Sequence, residues 1–115
     1  MARFLLLMRG DQTNFLSLSH QEQQKVVEDH ESWAAKLRKS GNYVDGDGIG
    51  PDTITLHKGA DNNIDEVANQ LADSPDQLSG YYIIEADDIN LACTIAKQCP
   101  ALNYGERIEV APLGH

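Results

Sequence analysis

The sequence predicts an α+β fold with a mainly antiparallel sheet and two helices on one face. Three observations carry that prediction. Strand-like and helix-like runs follow one another along the 115 residues in the order β-α-β-β-(segment)-β-α-β. Ser19-His20-Gln21-Glu22 is a capping box that opens a long amphipathic helix, and Gly41 supplies its stop. Asp87-Asp88 then precedes a second apolar helix that Pro100 ends. Each helix can return the chain to its sheet by a right-handed crossover. That layout is the ferredoxin-like arrangement, and it fits one domain over residues 1–115.

The elements follow from local pattern. Arg3–Arg9 is an apolar run with few turn formers, so it reads as a central strand, and Gly10–Asn14 reads as a polar loop. The helix from Ser19 to about Ser40 places Val26, Val27, His30, Trp33, Ala34 and Leu37 on its apolar face. Tyr43-Val44 begins a second strand that Asp45–Asp52 interrupts with three glycines and a proline. Thr53–His57 resumes with strand alternation. Ile64, Val67, Ala68 and Leu71 have the i, i+3, i+4, i+7 spacing of a short helix over 64–72, although a strand stays open there. Gly80–Ala86 is rich in aromatic and β-branched residues and forms a strand. Ile89, Ala92, Ile95, Ala96 and Cys99 make the buried face of the second helix, and Arg107–Ala111 is a final alternating strand.

Charge narrows the function classes. The net charge is −9, with seven Lys/Arg against eight Asp/Glu in residues 1–58 and two against ten in residues 59–115. No basic cluster exists to neutralise phosphates, so the expectation is no nucleic acid and no anionic membrane surface among the partners. Cys93 and Cys99, six residues apart in the second predicted helix, lack metal-ligand spacing and read as reduced thiols. Phe4–Met8 is too short for a signal peptide and no stretch spans a bilayer, so the expected compartment is the cytoplasm. No metal or cofactor is expected. The Asp45–Gly50 stretch fails as a calcium loop because the twelfth position is Leu56. It fails as a dinucleotide fingerprint because Pro51 and a strand follow it; a bulge or turn is the better account.

His30 is the residue that stands out. It sits mid-helix among Val26, Val27 and Trp33, where a hydrophobe is expected, and imidazole titrates near neutrality. The alternative is a core histidine hydrogen-bonded to backbone.

Three stretches resemble the YCII-related (DGPF-type) family: Phe4-Leu5-Leu6-Leu7-Met8-Arg9-Gly10-Asp11, Leu78-Ser79-Gly80-Tyr81-Tyr82-Ile83-Ile84-Glu85-Ala86, and Cys99-Pro100-Ala101-Leu102-Asn103-Tyr104-Gly105 followed by Ile108-Glu109-Val110. The DGPF signature itself is absent, since its place is taken by Ala68-Asn69-Gln70-Leu71. The resemblance implies the dimeric α+β barrel type of this fold, hence a homodimer packed through open sheet faces. Leu5, Leu7, Tyr82 and Ile84 are expected to include that face. It also implies that His30, eleven residues before Gly41, and Asp11 form an acid–base pair. Trp33, Tyr82 and Arg9 are the accompanying candidates for substrate binding.

Two functions from different classes follow. One is a small enzyme doing lyase-type proton transfer on a small organic substrate. The other is a non-catalytic dimeric module that binds a small ligand or a protein.

Overall fold

Strand β1 (Ala2–Gly10) is central in the sheet because both of its edges are paired. It runs antiparallel to β5 (Gln77–Ala86) on one side and to β6 (Arg107–Pro112) on the other. Strand β2 (Tyr43–Gly48) pairs with the free edge of β5, giving the order β2-β5-β1-β6. The computed structural model describes residues 1–69 and 74–114. Helices α2 (His20–Ser40) and α3 (Ile89–Ala96) connect β1 to β2 and β5 to β6, as the ferredoxin-like arrangement requires.

Both long helices cover one face of the sheet. Trp33, Ala34 and Leu37 of α2 and Ala92 and Ala96 of α3 join one buried cluster with Phe4, Leu6, Met8, Tyr82 and Ile84. Helix α2 starts where the capping box predicts: the Ser19 hydroxyl accepts from Glu22 N and the Glu22 carboxylate accepts from Ser19 N. Gly41, at φ +82°, closes it by donating to Arg38 O, and Asn42 N bonds Leu37 O. A serine N-cap such as Ser19 contributes about 1 kcal/mol. Val27, expected on the buried face, is 51% exposed. Cys99 lies beyond α3, at the start of a 3-10 turn over Pro100–Tyr104, so the two cysteines do not share a helix; both are free thiols.

The open sheet face differs from the expected one. Residues directly opposite in an antiparallel ladder point the same way. Leu6 faces Tyr82 and Phe4 faces Ile84, so Tyr82 and Ile84 lie under the helices. Leu5 faces Ile83 and Leu7 faces Tyr81, so the open face carries Leu5, Leu7, Tyr81 and Ile83, all half-buried.

Two further expectations are corrected. The polar loop after β1 holds a short helix, α1 (Gln12–Leu16), capped by Asp11. The glycine-rich stretch does not break β2, which stays paired with β5 through Gly48 and shifts register only between Tyr43 and Asp45. The Ile54–Lys58 strand, β3, leaves the main sheet and pairs instead with β4 (Ile64–Ala68). The helical reading of 64–72 therefore fails at Ile64–Ala68; its remainder at 70–72 lies outside the described residues. Turn chemistry decides the case. Gly59 N bonds Asn63 O, Asn62 takes φ +65°, and Asn69, at φ +53°, ties the base of the hairpin to Thr53. Asparagine tolerates that left-handed backbone, so the two turns close a hairpin around an apolar spacing that also suits a helix.

Candidate functional site

The site begins with an irregularity in β5. The β1–β5 register runs Met8 opposite Gly80 and then Arg9 opposite Leu78, so Ser79 is the extra residue of a bulge. Without it, alternation from Tyr82 and Gly80 would turn Leu78 inward. With it, Leu78 turns to the open face and Gln77, opposite Gly10, turns inward and is buried. The bulge replaces a leucine by an amide on the helix-covered side of the sheet, which is the re-aiming that bulges perform.

Inward-facing side chains at this end of the sheet, together with α1, α2 and β2, enclose a cavity of about 590 Å³. That volume is in the range of small-molecule sites. Its apolar wall includes Met8, Phe15, Leu16, Val26, Ala34 and Ile49, and its polar groups include His30, Tyr82, Gln77, Ser79 and Glu106. Gly46 explains how β2 comes so close. A Cβ at that position would stand 2.6 Å from the Tyr82 ring, so only glycine lets the strand cross the aromatic face.

His30 projects from α2 onto this wall. Its Nδ1 lies 2.7 Å from the Tyr82 hydroxyl, and the rings stack with centroids 5.9 Å apart. Trp33, one turn on, packs its ring edge-on against Tyr82 at 4.9 Å. Burial lowers the His30 pKa from its ordinary 6.5, and the neighbouring Asp29 carboxylate offsets this only in part. Burial also raises the Tyr82 phenol, which stays protonated. We assign the Tyr82 phenol as the donor to His30 Nδ1, because a phenol kept protonated by burial has a proton to give. The imidazole is then neutral with its proton on Nε2. Tyr82→Phe should remove this orientation: nitrogen-15 NMR should show a single Nε2–H tautomer in the parent protein and a mixture in the variant. The same mixed signal in both proteins would contradict the assignment.

Glu106 and Ser79 complete the polar end. The Ser79 hydroxyl donates to the Glu106 carboxylate and also approaches Met8 O. Burial raises the Glu106 pKa, and the bond from Ser79 offsets part of that rise. Gly10 makes room here, since a Cβ would meet Glu106 Cγ at 3.0 Å. Cys99, buried with its thiol pushed up to about 11, is in no state to act as a nucleophile near neutral pH. Among the described residues no three His, Cys, Asp or Glu side chains converge as metal ligands.

The structure thus brings His30, Tyr82 and Trp33 together. It places the other two candidates elsewhere. Arg9 is on the open sheet face, ion-paired with Glu109 at 2.6 Å and bonded to Asp76 O. Asp11 caps α1, its carboxylate taking both Thr13 N and the Thr13 hydroxyl, which lower its pKa. It lines a smaller hollow beside Tyr104, and Glu106 is the carboxylate that borders both spaces. Glu106 had a legible signal: it shares alternation parity with Ile108 and Val110, so it faces the core side of β6. Gln77 had none, because its direction depends on the bulge.

The YCII-related domain model matches residues 2–113. The chain belongs to the YCII-related domain family. No curated protein matches it. A YCII-related domain with this geometry has a histidine, a tyrosine and a carboxylate on the wall of one small cavity.

Proposed function

We propose that this YCII-related domain is a small enzyme that moves a proton on an uncharged, largely apolar organic substrate, with His30 as the acid–base group. One observation carries the reading: a half-buried imidazole, oriented by Tyr82 and kept neutral by burial, on the wall of a ligand-sized cavity. A neutral imidazole near its titration range can take a proton and return it. Glu106 is the second group able to exchange one, because its environment shifts it toward neutrality from the acid side. The reaction type is elimination or hydration, in which a carbon-bound proton leaves or arrives beside a polar substituent.

The second reading is a non-catalytic binding module. It is favoured by the position of Asp11, whose carboxylate is taken by Thr13 and not by His30. A panel of small carbonyl compounds, each with an acidic α C–H or a β leaving group, separates the two. Turnover with an acid limb below pH 6.5 supports catalysis. Binding of panel members with no turnover of any gives the module reading the field.

The working form we propose is a homodimer. The β3–β4 hairpin exposes Ile54 (64%), Leu56 (61%) and Ile64 (57%) on one face, and two-stranded hairpins are marginal on their own. The radius of gyration, 16.0 Å, exceeds the roughly 13 Å of a compact domain of this length. An arm of this kind and the half-apolar open sheet face are both accounted for by a second copy. Sedimentation equilibrium should return twice the 12.7 kDa chain mass, and Leu56→Asp should lower the association constant. A monomer at micromolar concentration contradicts the proposal.

A further inference from the structure

Exposed residues that also line a cavity stand at its mouth. Leu16 on α1 is 71% exposed, Val27 on α2 is 51% exposed, and both line the cavity. Ile49 and the exposed Pro51, from the segment after β2, belong to the same wall. The mouth is therefore rimmed by apolar groups from three parts of the chain, a surface that is stabilised by being covered.

Helix α1 is placed to cover it. It belongs to a strap, residues 11–18, slung between two fixed points. One is Gly10, paired with Gln77 in the sheet, and the other is Ser19, held in the capping box of α2. The strap is stiff within itself. Asp11 caps α1 through Thr13 at one end, and the Ser17 hydroxyl donates to Asn14 O at the other. Its tie to α2 is loose: the Gln23 amide donates to Phe15 O and to Leu18 O at 3.3 Å each, beyond the usual span of about 2.7–3.2 Å. None of the five residues of α1 is buried. Gln12 and Phe15 line both the cavity and the smaller hollow of about 220 Å³, so the strap stands between two empty spaces. A close-packed element shifts only with strain, whereas this one has room on both sides. We propose that α1 is a lid: an uncharged apolar ligand that fills the cavity draws the strap down, and Leu16 and Phe15 pack onto it. The inference rests on the cavity of the proposed enzyme and adds a moving part to it.

The test uses the full chain and N-phenyl-1-naphthylamine, an uncharged aromatic whose fluorescence rises in apolar surroundings. The probe is expected to bind and to shift the backbone amides of Val26 and His30 on the cavity wall. Hydrogen exchange then follows Ser17 N and Leu18 N, which bond Thr13 O and Phe15 O. In the free protein both should exchange by local opening, and both should slow at least tenfold with the probe bound. Local exchange slows in this way only where opening and the bound probe exclude one another. Leu16→Gln keeps length and helix propensity and removes the apolar contact. Leu16 is exposed in the free protein, so its burial is gained only on closure. The variant should melt within about 3 °C of the parent and yet bind the probe roughly tenfold more weakly. Leu91→Gln, at an exposed leucine of α3 that does not line the cavity, should leave the affinity unchanged.

Failure of the probe to bind at the cavity overturns the inference. So does unchanged α1 exchange in the bound state, or equal affinity in Leu16→Gln and the parent. If Leu16→Gln does not fold, Leu16 is already packed in the free protein, and that also overturns it. The catalytic reading is judged separately, by turnover of the carbonyl panel. A protein that turns over nothing can still close α1 on the probe, and a working enzyme can leave α1 unmoved.

Discussion

His30→Gln is expected to lower turnover by roughly 100- to 10,000-fold, the usual contribution of a positioned acid–base group. Glutamine is chosen because its side-chain oxygen can accept from the Tyr82 hydroxyl as His30 Nδ1 does, at 2.7 Å in the parent. The Tyr82 ring and the cavity wall should then hold their places while the titrating group is lost. If the variant is folded and turns over at the parent rate, His30 does not carry the proton. The parent rate should also fall in acid with a midpoint below 6.5, since burial is the first cause of the lowered His30 pKa. That limb should be absent from any residual activity of the variant.

The same burial has a stability signature, and its sign can be worked out. In the unfolded chain His30 titrates near its ordinary 6.5; in the fold it titrates lower. Between the two values the unfolded state binds more protons, so parent stability falls as the pH drops through that window. Glu106 acts in the opposite sense. Its folded pKa lies above the ordinary 4.5, so the fold binds more protons between those values and stability falls as the pH rises through them. A denaturant series across weakly acidic pH should therefore show a shallower acid-side loss in His30→Gln than in the parent. Parallel curves would mean that the imidazole is as hydrated in the fold as out of it.

How much of this was legible in the residues depends on the scale of the signal. The α2 helix could be read to its ends, because a capping box and a left-handed glycine are local devices whose geometry the sequence states outright. The central place of β1 followed from its unbroken apolar run, and the two-helix layout from the order of elements and crossover handedness. His30 stood out because a titratable group occupied an apolar position in a strong helical pattern. What escaped were features decided by pairing. Ile64–Ala68 carries a helical spacing, but its flanking asparagines in left-handed backbone closed a hairpin. The direction of Gln77 depends on a one-residue register shift, and parity counted along a strand fails on the far side of a bulge. The face assigned to Tyr82 and Ile84 failed for a simpler reason, since the phase of β5 is set by its partners on β1.

That dependence on β1 is why a core residue should reach the site. Leu6→Ala is expected to destabilise the protein by roughly 2–5 kcal/mol, the range for emptying a buried leucine position. Leu6 is fully buried (0% exposed) on the central strand, with Tyr82 opposite on β5 and Val110 opposite on β6. The high end of the range is the expected one, because strands on both sides limit how far the sheet can collapse into the void. The void would also border the Tyr82 ring, which Trp33, Gly46 and His30 hold from its other sides. A tyrosine released on one side loses the fixed angle at which its hydroxyl meets Nδ1, so the His30 tautomer signal should broaden in Leu6→Ala even well below its melting temperature. Ile84→Val, also fully buried but next along β5, should cost only about 0.5–1.5 kcal/mol and leave that signal sharp. Chemical denaturation and nitrogen-15 NMR on the two variants separate general loosening of the core from a specific support of the site. An unchanged His30 signal in Leu6→Ala would show that α2 and β2 alone hold Tyr82 in place.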